Sequence, residues 1–95
     1  MKRWICILII FYAWHPLADE TKAATCKACH GPAGVSANDL WPNLAGQKEG
    51  YIVKQLHAFR EGSRVDPLMS PVSKMLSDDD IKQLAAYYSH LKAAE

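Results

Sequence analysis

Two thiols three positions apart, followed at once by an imidazole, stand at Cys26-Lys27-Ala28-Cys29-His30. Each thiol can add across one vinyl group of a porphyrin, and a histidine at the next position then falls beneath the ring, where a nitrogen can bind iron. The other chemistries of a C-x-x-C pair fit less well. A structural zinc site needs four ligands, and the remaining cysteine, Cys6, lies in a segment that reads as a removable leader. A thioredoxin-like dithiol opens a helix within a βαβ pattern, and no strand-like alternation precedes Cys26. A plain disulfide gives no reason for His30. The motif therefore predicts one covalently attached haem, with Cys26 and Cys29 as attachment points and His30 as an iron ligand.

Iron held by His30 has a second axial position. Met69, Met75, His57 and His90 carry suitable donors. Both histidines neighbour an apolar residue of a helical pattern, Leu56 or Leu91, which suits a place on a helix flank. Met75 directly precedes Leu76 and Ser77, which suits packing beneath the last helix. Met69 lies between Pro67 and Pro71, a segment that reads as rigid and extended and able to hold a thioether toward the iron.

The elements that must hold such a group are helical. From Asp78 to about Lys92, Ile81, Leu84, Ala85, Tyr88 and Leu91 recur at the spacing of one helix face. Ser77 is its N-cap, and Asp78, Asp79 and Asp80 place negative charge at the positive end of the dipole, so these acids read as capping and not as a metal site. A second helix runs from about Lys48 to Glu61, with Ile52, Leu56 and Phe59 inward and Gly62 ending it. A short first helix covers about Glu20 to His30. The segments Gly31–Gly46 and Gly62–Leu76, rich in Gly, Pro, Ser and Asn, read as loops that surround a ligand.

Ninety-five residues allow one domain with a small core, which a covalently held macrocycle would staple. Nearly half the residues are apolar and the formal net charge is +1, which gives no basic stripe for nucleic acid. The first eighteen residues stand apart. Lys2 and Arg3 precede an unbroken apolar run from Trp4 to Trp14, and His15-Pro16-Leu17-Ala18 ends it at a small residue. Residues 1–18 thus read as an export signal, with 19–95 as the domain and an uncleaved anchor as the alternative. Eleven helical residues rise about 16 Å, short of the roughly 30 Å of a bilayer core. Without Lys2 and Arg3, nine basic side chains remain against ten acidic ones.

Taken together, Cys26-Lys27-Ala28-Cys29-His30-Gly31, Pro42-Asn43-Leu44-Ala45-Gly46-Gln47, Tyr51 to Leu56, Met69-Ser70-Pro71 and Leu76 to Tyr88 resemble a small class I c-type cytochrome. The domain type is the one that also occurs doubled in bacterial diheme cytochromes. The likeness spans about Thr21 to Leu91, and a single C-x-x-C-H implies a single haem. The resemblance implies an all-α, class I cytochrome c fold of three main helices and loops wrapped around that haem. It implies Met69 as the sulfur ligand, eight residues before Ser77. It also implies that the Pro42 carbonyl accepts the other ring N–H of His30 and fixes its tautomer.

The chemistry implied is electron transfer, since iron between a histidine and a thioether has no open position. Leu40, Leu44, Ile52, Leu56 and Tyr88 form the expected water-excluding wall, and Trp41, Gln47 and Tyr51 carry donors for the propionates. Partners would be a terminal oxidase, reductase or dehydrogenase of a respiratory chain, met in the periplasm. The docking face expected around the exposed haem edge is uncharged: Ala28, Gly31, Pro32 and Ala33 on one side, Leu68 to Pro71 on the other, with Lys27, Arg64, Asp66 and Lys74 outside it. Two other classes stay open: a haem-bearing subunit of a larger oxidoreductase, and a haem sensor or enzyme with a labile sixth ligand.

Overall fold

The computed structural model describes residues 17–94, so all but the last two residues of the expected leader, 1–18, lie outside the described residues. Four helices follow one another: α1 (Leu17–His30), α2 (Glu49–Glu61), α3 (Met69–Lys74) and α4 (Asp78–His90). No strand occurs among the described residues. α1 starts three residues ahead of the expected Glu20 and so runs across the expected end of the leader at Ala18. It stops sharply at Gly31, whose φ of 89° places it in the left-handed region. A side chain there would put Cβ 2.0 Å from the Val35 carbonyl oxygen, so only glycine lets the chain turn directly after His30.

α2 ends as its sequence requires, on Gly62 with a left-handed backbone and an N–H bonded to the Ala58 carbonyl. α4 begins on a complete capping box. The Ser77 hydroxyl accepts from the Asp80 N–H at 3.0 Å, and the Asp80 carboxylate accepts from the Ser77 N–H at 3.0 Å. The same end of α4 is tied outward: Asp80 pairs with Lys22 of α1, and Asp78 takes a 2.6 Å bond from Arg60 of α2. Those bonds, from Lys22 first for Asp80 and from Arg60 first for Asp78, hold both carboxyls below the usual carboxylate range. A lowered folded value means stability that is present above the unfolded carboxylate range and lost as pH falls through the lowered one. Ser77→Ala should cost about 1 kcal/mol by leaving the Asp80 N–H without its acceptor. A urea midpoint unchanged by that substitution would show that the box contributes nothing.

The core joins three of these elements. Ile81, Leu84, Ala85 and Tyr88 of α4 meet Ile52 and Leu56 of α2 and Ala23 of α1, all buried. α2 packs on α4 and α3, and α1 packs on α4. Burial at a spacing of three and four along α4 is the pattern expected of one apolar helix face.

Three expectations need correction. The segment Gly62–Leu76 is not wholly loop, because Met69–Lys74 forms α3. Met69 therefore opens a helix instead of sitting in extended chain. Pro71 is tolerated because it is the third helical residue, where no intrahelical acceptor awaits an N–H. Leu40 is 86 % exposed and takes no part in an apolar wall. Its N–H is captured by the Asn38 side chain at 2.8 Å, a local turn that competes with packing. Met75 is 82 % exposed rather than packed beneath α4. It caps α3, its N–H bonded to the Val72 carbonyl at 3.2 Å, and its neighbour Leu76 packs against the core instead.

Candidate functional site

His30 ends α1 and is buried, 6 % exposed as a residue. Its Nδ1 stands 2.8 Å from the Pro42 carbonyl oxygen. A carbonyl can only accept, so Nδ1 carries the proton and, in the neutral ring, Nε2 keeps its lone pair. The loop that carries Pro42 is pinned on both sides. The Gly34 carbonyl accepts from the Leu44 and Ala45 N–H groups at 2.8 and 3.0 Å. The Ser36 N–H donates to the Asn43 side chain at 2.7 Å. Ser36 also donates through its hydroxyl to the Cys29 carbonyl at 3.4 Å, tying this loop back to the motif. The Pro42 carbonyl is thus held by the loop fold, not by the histidine alone.

Cys26 and Cys29 are free thiols, both half-buried. Cys26 lies one turn before His30 on α1 and packs against the apolar core. Burial pushes its thiol up, and the facing Tyr88 phenol acts in the opposite direction. Tyr88 is itself pushed up, first by burial. The two side chains interact, yet the Tyr88 hydroxyl lacks a partner in good hydrogen-bond geometry and is one of three buried orphaned polar atoms among the described residues. Met69 is half-buried and packs against the same apolar cluster as Cys26. The fold therefore brings Cys26 and the first residue of α3 to one apolar cluster, although Met69 lies 39 positions after His30.

The other residues singled out from the sequence lie on the two flanking loops and the start of α2. Trp41 is half-buried and, with Cys29, lines an open hollow of about 690 Å³. Neither His30 nor Met69 lines that hollow, so it is a surface recess beside the motif and not the space between the two. Tyr51 is 49 % exposed in the first turn of α2. Gln47 spends its side-chain oxygen on the Lys48 N–H at 2.9 Å. The Trp41 indole, the Gln47 amide and the Tyr51 hydroxyl donate to no protein acceptor among the described residues. His57 faces Arg60 at 2.9 Å, and His90 is exposed and faces the Ala86 carbonyl at 2.8 Å.

The donor set suits a covalently held haem. Two unpaired thiols flank an imidazole whose remaining nitrogen is an unprotonated donor, and a thioether reaches the same cluster. Large apolar side chains also stand uncovered on the loops around it, with Val35 39 %, Val65 80 % and Leu68 57 % exposed. In a domain this small, that much exposed apolar surface marks a place for an apolar group. The sequence reading missed Asp66, which it treats as an outer charge. Its carboxylate holds the backbone N–H of Met69, and the Asp-Pro pair that starts this turn was the available signal.

Residues 20–92 match the family model for cytochrome c. Cytochrome c4 of Thiocapsa roseopersicina is 48 % identical over 75 residues, which cover 78 % of this chain and 38 % of that protein. Cytochrome c-554(548) of Halomonas halodenitrificans is 44 % identical over 75 residues, covering 76 % of this chain and 90 % of that protein. The solved cytochrome c4 of Acidithiobacillus ferrooxidans superposes with a TM-score of 0.70 at 39 % identity, covering 81 % of this chain and 51 % of that one. The chain thus spans well under two thirds of the cytochrome c4 relatives but nearly the whole of the cytochrome c-554(548). The helices without strands, the C-x-x-C-H turn and these matches agree: the chain belongs to the cytochrome c family, whose cofactor is a covalently attached haem c.

Proposed function

We propose that the chain is a single-electron carrier with one haem c attached through Cys26 and Cys29 and bound axially by His30 and Met69. The observation that carries this is the 2.8 Å contact of His30 Nδ1 with the Pro42 carbonyl, which leaves Nε2 as a donor in a fixed orientation. A c-type haem supplies a reversible one-electron iron couple. The protein's part is to orient the donors and keep water away. Pro42 fixes the imidazole, Met69 offers a soft sulfur that favours the ferrous state, and Leu44, Ile52, Leu56 and Tyr88 supply apolar surroundings that disfavour the added charge of ferric iron. With both axial positions filled by protein, no site is left for substrate, which favours a carrier over a sensor or enzyme. Ferrous holoprotein that takes up carbon monoxide rapidly would refute this reading, because an open position would then exist.

Residues 1–18 act in this reading as an export signal, so that the carrier works in the periplasm and exchanges electrons with an oxidase, reductase or dehydrogenase. No described helix is long and apolar enough to cross a membrane. The contact face is uncharged at its centre. Ala28, Pro32, Ala33, Leu68 and Pro71 are exposed there, while Lys27 and Arg64 at its edge lean on the rings of Tyr87 and Phe59. A small apolar contact of this kind belongs to the class of weak redox encounters, with steering left to outer charges of mixed sign. Transfer to the natural partner should therefore change little with ionic strength and fall when Ala33→Glu puts a charge at the centre. Stopped-flow rates across a salt series measure both. A steep salt dependence, or an Ala33→Glu rate equal to wild type, would place docking on another face.

A further inference from the structure

We infer that Asp66 is the residue that positions the methionine thioether, fixing the backbone of Met69 in the protein before the sulfur meets iron. This rests on the reading of Met69 as the sixth ligand and extends it to what holds that ligand in place. α3 has six residues, far too few to be stable as an isolated helix, so its position depends on what ties its ends. At its start nearly every free donor leads to Asp66. One carboxylate oxygen accepts from the N–H groups of both Leu68 and Met69, each at 2.8 Å. The Asp66 carbonyl accepts from the Ser70 N–H at 3.0 Å. The next residue, Pro71, has no N–H to satisfy. In return the Ser70 hydroxyl accepts from the Asp66 N–H at 2.9 Å, closing the turn on itself.

Two observations separate this role from an ordinary surface charge. Asp66 forms no ion pair among the described residues: its charged neighbour Arg64 donates to Gln55 at 2.7 Å and lies over the Phe59 ring at 4.5 Å. The carboxylate is therefore committed to backbone donors, one of them the N–H of the ligand residue itself. The turn is also rigid from within, because Pro67 fixes φ between the carboxylate and the N–H groups it holds. A thioether carried on such a turn loses little backbone freedom on binding, and this favours the bound over the detached state.

The test uses holoprotein of Asp66→Ala, Asp66→Asn, Ser70→Ala and Met69→Ala. The readouts are the sulfur-to-iron absorption band of the ferric form, carbon monoxide binding by the ferrous form, and the thermal midpoint. Asp66→Ala should weaken the band and raise carbon monoxide binding roughly two- to thirtyfold, the range that loss of one helix cap gives. Asp66→Asn keeps the oxygen acceptor and should restore both readouts. Ser70→Ala should shift them the same way by less. A fall in thermal midpoint with the band and carbon monoxide binding unchanged would reduce Asp66 to a structural role and overturn the inference. So would Asp66→Asn behaving like Asp66→Ala, since the acceptor would then be irrelevant. If Asp66→Ala does not mature with haem, Ser70→Ala decides alone, and wild-type behaviour there overturns it. Met69→Ala with an intact band would instead refute the ligand assignment, a failure distinct from that of Asp66.

Discussion

Met69→Ala should lower the reduction potential by on the order of 100 mV, a modest part of the roughly 0.8 V that axial ligands command, and open ferrous iron to carbon monoxide. Met75→Ala should change neither. The two methionines are six residues apart on the same stretch of chain, yet the fold treats them oppositely. Met69 packs against the cluster that holds Cys26, while Met75 is 82 % exposed beyond the end of α3. From the sequence, Met75 reads as a core residue, and its truncation would then cost about 2–5 kcal/mol. With the side chain in solvent, the expected change in stability is within about 0.5 kcal/mol. Redox titration with optical spectra separates the two methionines, and thermal melts separate the two accounts of Met75. Loss of the sulfur band in the Met75 variant, with Met69→Ala unaltered, would reverse the assignment.

The contrast between the methionines shows what the sequence could and could not convey. Periodicity located α4 and α2 closely, because both present a full apolar face and end on strong signals, the Ser77 box and Gly62. The place of Pro42 opposite His30 was implied by the family resemblance, and the contact is present at 2.8 Å. α3 was not legible, since six residues with a proline at the third position have no period to detect and are held by tertiary and turn contacts. Met75 and Leu76 illustrate the same limit: a change of one residue in where a short helix stops decides which of two adjacent apolar side chains enters the core. Leu40 failed for a local reason, because the hydrogen bond its N–H donates to the Asn38 side chain sets its backbone before packing can. Asp66 was visible as a charge in an Asp-Pro turn signal, but which backbone N–H groups its carboxylate meets, those of Leu68 and Met69, is decided by the fold.

Cys26→Ala/Cys29→Ala should lose its haem on acid and solvent extraction, whereas wild type keeps one haem in its intact mass. The thiols are unpaired, and each supplies one S–H that can add across one vinyl double bond, sulfur to one carbon and hydrogen to the other. Single substitutions should leave one link and still retain the haem mass. The larger consequence is for the fold. Nine apolar residues are buried among the described residues, and three of them are alanines, Ala23 of α1, Ala45 of the loop before α2 and Ala85 of α4, so only six large side chains build the core. Domains of this size seldom gain more than about 3–5 kcal/mol from such a core alone. Val35, Val65 and Leu68 stay uncovered without an apolar partner, and the buried Tyr88 hydroxyl is left without a satisfied bond. The extracted double variant should therefore melt broadly or at a much lower temperature than the holoprotein, by far-UV circular dichroism. A cooperative melt at the holoprotein's temperature would mean that the protein core suffices and that the exposed side chains serve another purpose. A wild-type mass equal to the bare polypeptide would remove the covalent haem itself, and with it the electron-transfer reading built on His30 and Met69.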